Sequence, residues 1–101
     1  MVLIYTTCKN EEEGRKLARI IIEHHMASCV DVWPIRSTYR WGGEIKEDQE
    51  VEVLIKTLES KLQSIEDLIV QNHAYATPFI GAVDVRRINH PYKEWMSEVI
   101  Y

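Results

Sequence analysis

The chain is poor in the residues that build covalent or metal-linked scaffolds, and it has no long apolar run. Its 101 residues include only two cysteines, three prolines and four glycines. Cys8 and Cys29 lack C-x-x-C spacing, so they make neither a zinc motif nor a disulfide framework. No apolar stretch approaches the roughly 20 residues of a membrane span, and Met1–Tyr5 is too short, and lacks the basic start, for a signal peptide. These absences predict a cytoplasmic protein with reduced thiols and no membrane partner.

The charge balance and the length exclude further classes. Twelve basic against sixteen acidic side chains give a net charge of −4, which argues against binding to nucleic-acid phosphates. A length of 101 residues allows one domain, residues 1–101, with a thin core. Association of subunits would stabilise so small a domain considerably.

Ser37–Ile45 is the most informative segment, and it predicts the tip of a β-hairpin. Gly42 and Gly43 accept the positive φ angles that two-residue hairpin turns require. On an extended strand, Tyr39 and Trp41 lie on the same face. Two large aromatic side chains beside a turn either line the core of their own domain or contact a partner.

The hydrophobic pattern predicts an α+β domain with strands and helices in the order βαββαβ and a short C-terminal helix. The expected elements are a strand over 2–7, a helix over about 11–27, a long strand over 28–41, a strand after the turn, a helix over about 60–72, a strand over 78–85 and a helix from Pro91. Asn10 is the expected N-cap of the first helix, and Ser60 opens a capping-box pattern before the second. This order is typical of the ferredoxin-like fold, an antiparallel sheet with both main helices on one face. The other face of the sheet and a long hairpin remain for a partner subunit.

The sequence offers no constellation for catalysis or phosphate binding. It has no G-x-S-x-G motif, no nucleophile with a recognisable activating base, and no glycine-rich loop before a helix. RNA-binding modules of similar element order need aromatic and basic side chains on strands one and three. The predicted third strand of this chain instead carries the acidic residues Glu50 and Glu52. We therefore expect a protein that is not an enzyme and does not bind nucleic acid.

Five sequence blocks carry a resemblance to a known family. In chain order they are Ala27-Ser28-Cys29-Val30-Asp31, Ser37-x-Tyr39-x-Trp41-x-Gly43-x-Ile45, Glu50-Val51 through Ile55-Lys56-Thr57, His73-x-Tyr75-x-x-Pro78 and Tyr92-x-x-Trp95. Together they span essentially the whole chain and resemble the CutA family of divalent-cation tolerance proteins. The resemblance implies a ferredoxin-like fold, a tight homotrimer whose long hairpins reach neighbouring subunits, and a link to copper and other divalent metals. It also implies an architecture similar to PII signalling proteins, in which a small regulatory ligand would bind at the clefts between subunits.

The chain departs from the family pattern at four positions, of which Asp31 in place of a usual asparagine is the mildest, since both side chains accept hydrogen bonds. Ala74 replaces a usual proline, Phe79 replaces a usual glutamate, and Thr6 stands where the family has a cysteine on its first strand. For metal binding we therefore consider Cys8 and His73, which the fold could bring together at the ends of the first strand and second helix. A thiolate and an imidazole suit copper, although two ligands alone make a weak site.

Two further sets of residues are candidates for contacts between subunits. The predicted trimer interface contains the aromatic residues Tyr39, Trp41, Tyr75, Tyr92 and Trp95, and the predicted cleft contains the charged residues Arg36, Arg40, Glu52 and Lys56. The leading interpretation is a non-enzymatic trimer that binds a divalent metal or a small ligand. A small hydrolase acting at the subunit clefts, or a scaffold trimer that presents loops to other proteins, are the alternatives.

Overall fold

The computed structural model describes all residues, 1–101, and contains one four-stranded antiparallel sheet with three helices. The elements are β1 (Val2–Cys8), α1 (Glu11–Glu23), β2 (Cys29–Trp41), β3 (Glu44–Thr57), a single 3-10 turn (Glu59–Lys61), α2 (Leu62–Asn72), β4 (Ile80–Asp84) and α3 (His90–Val99). The strand order is β2-β3-β1-β4. The predicted α+β class and ferredoxin-like order are confirmed. None of the helices has the length and apolar content needed to cross a membrane.

The two faces of the sheet differ because β1 alternates strictly between them. Val2, Ile4, Thr6 and Cys8 are buried, whereas the residues between them are only partly buried. The buried residues join those of β3, α1 and α2 in one core, which includes Val53, Ile55, Leu17, Ile21, Ile65 and Ile69. Both main helices therefore cover one face. We call the opposite side, which carries Leu3, Tyr5, Thr7, Asp31, Trp33 and the even-numbered residues of β3 from Glu44 to Lys56, the open face.

The β2–β3 hairpin projects beyond the core as an arm formed by residues 36–48. Its register runs continuously from Cys29↔Lys56 to Trp41↔Glu44, and the residues near its tip are exposed. The arm gives the molecule dimensions of 47 × 25 × 21 Å. Gly42 (φ 60°) and Gly43 (φ 81°) both occupy the left-handed region, as the predicted two-residue turn requires. The prediction of a projecting hairpin is confirmed.

Three predicted boundaries are wrong. The first helix ends at Glu23 rather than near residue 27, because His25 adopts a φ of 56° and turns the chain towards β2. The second helix begins at Leu62 instead of Ser60, since residues 59–61 form a 3-10 turn and no side chain caps either element. The fourth strand covers only Ile80–Asp84. The predicted N-cap of α1 is correct, because Asn10 Oδ1 accepts the Glu13 N–H at 2.9 Å.

Helix α3 closes the chain against the main body. It begins at His90 with Pro91 in its first turn, as predicted, and Met96 is completely buried. Three hydrogen bonds hold Tyr101. Its N–H donates to the His25 carbonyl at 3.2 Å, its carbonyl accepts from the Lys61 ammonium at 3.2 Å, and its hydroxyl lies 3.0 Å from His25 Nε2.

Candidate functional site

The most distinctive site is a cleft of about 590 Å³ between the arm and the segment that joins α2 to β4. Its lining residues are Thr7, Ser37, Tyr39, Trp41, Glu50, Ala74, Tyr75, Ala76, Thr77 and Phe79. The hairpin register places Tyr39 and Trp41 on the same strand face, as the sequence predicts. The segment 74–79 supplies the opposite wall, so the cleft exists only because distant parts of the chain meet here.

Two tyrosine hydroxyls in the cleft donate hydrogen bonds to carboxylates. Tyr75 donates to Glu50 Oε2, and Tyr39 donates to Asp48 Oδ2. Burial and then the bond to Glu50 raise the pKa of Tyr75 well above its usual range. The bond to Asp48 is the main cause that raises the pKa of Tyr39. Both phenols are therefore held protonated, and each ring is hydrogen-bonded to a carboxylate of β3.

His73 fastens the segment 74–79 to the end of β1. Its Nε2–H donates to the Thr7 carbonyl at 2.7 Å, and its Nδ1 accepts the Tyr75 N–H at 3.0 Å. The rings of His73 and Tyr75 lie 4.9 Å apart. These bonds fix the tautomer of His73 and leave neither ring nitrogen free.

Phe79 covers Gly81 on the next strand. A Cβ added to Gly81 would lie 2.7 Å from Phe79 Cζ, so the ring occupies the space that a side chain at residue 81 would need. The Phe79 ring thus forms part of the cleft wall, a position that the sequence does not predict.

Of the two predicted metal ligands, Cys8 is the last residue of β1, and His73, which follows α2, bonds to the neighbouring Thr7 carbonyl. Cys8 is buried on the helix-covered face, and burial, with help from Glu13 and Glu52, raises the pKa of its thiol to about 11. His73 would have to release a hydrogen bond to bind a metal. The chain contains no group of three or more His, Cys, Asp or Glu side chains that could hold a metal ion. Cys8 and His73 do not complete a metal site by themselves, and their role in metal binding stays a prediction.

The four charged residues predicted to border a cleft are divided between the two sides of the sheet. On the open face, Glu52 accepts the Thr7 hydroxyl at 2.8 Å, and the Lys56 ammonium lies 3.2 Å from Asp31. The hydrogen bond to Asp31 is the main cause that raises the pKa of Lys56.

Arg36 and Arg40 lie on the opposite side of the arm. Arg36 lines a second, more polar cleft of about 540 Å³, which lies at the base of the arm between β2, β3 and the start of α1. Arg40 donates to the Gly43 carbonyl at 3.4 Å. One chain therefore does not bring all four charged residues into one cleft.

The five predicted interface aromatics also form two groups. Tyr39, Trp41 and Tyr75 surround the first cleft. Tyr92 and Trp95 lie on α3 with ring centroids 5.4 Å apart, and the Tyr92 hydroxyl is 3.2 Å from Ser28 Oγ.

Known proteins of one family resemble this chain in sequence and in structure. The family model for the CutA1 divalent ion tolerance protein matches residues 2–99. The Divalent-cation tolerance protein CutA of Thermococcus kodakarensis is 32% identical over 100 residues, which are 99% of this chain and 96% of that protein. Protein CutA of Homo sapiens is 36% identical over 96 residues, 94% of this chain but 54% of the human protein. The chain thus spans about half the length of the human relative.

A solved structure agrees over the entire chain. The periplasmic divalent cation tolerance protein CutA from Archaeoglobus fulgidus superposes with a TM-score of 0.96 at 30% identity, covering 100% of both chains. The element order, the projecting arm and the sequence blocks therefore all agree with the same family. The chain belongs to the CutA1 family of divalent ion tolerance proteins.

Proposed function

We propose that this protein is a non-enzymatic, cytoplasmic homotrimer that binds a divalent metal, with copper as the first candidate, or a small ligand. In this role it would act in metal tolerance or signalling. Membership of the family supports the link to divalent cations, since relatives bear the name divalent-cation tolerance protein.

The observation that carries the assembly is the apolar surface that a single chain leaves exposed. Trp41 is 69% exposed and Ile45 67% exposed on the arm, and Trp33 on the open face is 38% exposed. Burying apolar surface contributes about 25 cal/mol per Å². An arm that packs against a neighbouring subunit would remove these side chains from water.

Sedimentation at micromolar concentration tests the trimer. We expect a mass three times that of the 11.9 kDa chain. Trp41→Ala should weaken the association. Tyr101→Ala removes an aromatic side chain of similar exposure (72%) that lies outside the predicted interface, and this variant should associate like the wild type. A stable monomer would contradict the proposed assembly.

Calorimetry with copper(I), copper(II) and zinc(II) tests the metal. We expect binding tighter than about 100 μM that is weakened by Cys8→Ser and by His73→Ala. Cys29→Ser and His90→Ala are the matched controls, since Cys29 is partly exposed and His90 lies 2.9 Å from Glu94 on α3. If the first two variants bind like the wild type, Cys8 and His73 are not the ligands.

The cytoplasmic location is tested by fractionating the native cells. The Archaeoglobus fulgidus relative is named periplasmic, so relatives need not share one compartment. Recovery of the protein outside the cytoplasmic fraction would contradict this part of the proposal.

A further inference from the structure

The arm has two unlike sides, because the side chains of its strands alternate between the two sides of the sheet. One side faces the first cleft, between the arm and the segment 74–79. Four of the ten residues that line this cleft are aromatic: Tyr39, Trp41, Tyr75 and Phe79. Glu50 is the only charged lining residue, and none of the ten is Lys, Arg or His. The cleft therefore combines aromatic rings and a carboxylate with no basic side chain.

The carboxylates on the cleft side have no basic partner. Glu50 and Asp48 each accept one tyrosine hydroxyl, and neither forms an ion pair. The tyrosine bonds to Oε2 of Glu50, which leaves its Oε1 without a partner in the chain. Lys46 is the only base on this side of the arm, but its ammonium lies 3.6 Å from Glu44. A cation that pairs with Glu50 must therefore come from elsewhere.

The opposite side of the arm presents two arginines without acidic partners. Neither Arg36 nor Arg40 forms an ion pair, and Arg40 donates only to the Gly43 carbonyl, at 3.4 Å. Glu47 is the only carboxylate on this side of the arm, and it forms no ion pair either. Arg40 lies directly across from Ile45, which is 67% exposed. This side therefore offers a guanidinium beside an apolar side chain.

We propose that Arg40 of one subunit enters the first cleft of its neighbour, where its guanidinium stacks on the aromatic rings and pairs with Glu50. The inference rests on the proposed homotrimer and names a contact that builds it. A guanidinium can stack on an aromatic ring and bind a carboxylate, and cations are attracted to rings within about 6 Å of the centroid. The contact would bury the exposed rings and Ile45 together with the two charges.

The positions of the two surfaces also determine the kind of assembly. They lie on opposite sides of one arm, so a single neighbour cannot engage both. Each subunit therefore uses one side of its arm towards one neighbour and the other side towards the second neighbour. Such head-to-tail contacts close into a ring, and three subunits make the smallest one. In a two-fold dimer the same patch would face itself, which would oppose carboxylate to carboxylate or guanidinium to guanidinium.

Exchange of the two charges tests the contact. Arg40→Glu and Glu50→Lys should each raise the protein concentration at which the trimer dissociates by at least about tenfold, because like charges then meet at the interface. The double variant Arg40→Glu/Glu50→Lys has an opposite pair at every contact and should recover most of this loss. Sedimentation over a dilution series measures the association, and circular dichroism checks the fold. A double variant that associates no better than the weaker single variant would overturn the proposal.

Arg36→Glu is the matched control. It reverses the same charge on the same side of the same strand, nearer the body of the domain. Addition of Glu50→Lys should not restore the association of this variant. Equal rescue of Arg36→Glu and Arg40→Glu would mean that only the total charge of the arm matters, and that result refutes the assigned contact.

A chemical cross-link gives a readout that does not depend on stability. Within one chain, Glu50 lies roughly 16 Å along the strand from the residue opposite Arg40 and points to the other side of the sheet. A shorter bismaleimide should therefore join Arg40→Cys to Glu50→Cys only between subunits. The variant carries Cys29→Ser, and its remaining native thiol, Cys8, is buried. Arg40→Cys with Gln63→Cys, an exposed position at the start of α2, is the control and should give no covalent trimer.

The cross-linking and sedimentation results together separate the contact from the assembly. Covalent trimers of the Arg40→Cys/Glu50→Cys variant support both the contact and the trimer. If this variant sediments as a trimer but gives no cross-link above the control, the proposed assembly stands and the contact between Arg40 and Glu50 is refuted. A wild-type protein that stays monomeric contradicts both.

Discussion

Two threonines on the helix-covered face of the sheet should respond oppositely to the same substitution. Thr6 and Thr57 are both completely buried. The Thr57 hydroxyl donates to the Met26 carbonyl at 2.6 Å, whereas the Thr6 hydroxyl has no hydrogen-bond partner. Replacing either by valine exchanges a hydroxyl for a methyl group of nearly the same size. The two variants therefore isolate the hydrogen bond from packing.

The expected magnitudes follow from the cost of burying a polar group. A buried hydroxyl without a partner costs about 1–3 kcal/mol. Thr6 lies between Val53 and Ile80 in the sheet, so a valine there would gain apolar contacts as well. We expect Thr6→Val to raise the free energy of unfolding by about 1–2 kcal/mol. Thr57→Val should lower it by about 1–3 kcal/mol, because the Met26 carbonyl loses its partner.

Chemical denaturation at one fixed protein concentration measures both changes, since association would otherwise shift the midpoint. The slope of the transition should stay constant if the variants alter stability alone. A Thr6→Val variant destabilised as much as Thr57→Val would refute the reasoning, because it would mean that the Thr6 hydroxyl makes a stabilising hydrogen bond.

Three other features lead to predictions. The hydrogen bond to Asp31 raises the pKa of Lys56 above its usual 10.5, so the pair stabilises the fold fully below pH 10.5 and less as the pH rises through the folded pKa. Denaturation midpoints should show a Lys56→Met variant weaker by about 0.2–1 kcal/mol near neutral pH, with the difference vanishing at higher pH. Gly43→Val should reduce hydrogen-exchange protection in the arm, because valine at a φ of 81° is strained, whereas Gly43→Asn should largely retain it. Gly81→Ala should displace the Phe79 ring, so a double-mutant cycle with Phe79→Ala should show coupling above about 0.5 kcal/mol, and additive effects would contradict the contact.

The sequence predicts the fold well because most of the relevant signals are local. The first strand, the Asn10 cap and the Gly42–Gly43 turn each depend on neighbouring residues, and each is present as predicted. The helix ends were less predictable. His25 takes a positive φ that is usual for glycine, and the capping pattern at Ser60 is overridden by a 3-10 turn.

The candidate site was only partly predictable, since it depends on contacts between distant segments. The sequence identifies Tyr39, Trp41 and Tyr75 as candidates for contacts between subunits. The position of Phe79 over Gly81 and the bonds of His73 to Thr7 and Tyr75 become visible only when the segment 74–79 meets the end of β1. Likewise, the side of the sheet on which Arg36 lies depends on the register of the long hairpin.

The strand order has a consequence for how the chain folds. The hairpin closes across only two residues, so its strands can pair within microseconds. In contrast, β1 sits between β3 and β4, and its partners are residues 51–57 and 80–84. Closing such large loops costs more entropy, and non-local pairing slows folding. We therefore expect β1 to pair with both of its neighbours late in folding. Until then its apolar side chains are exposed, and the chain is most prone to aggregate.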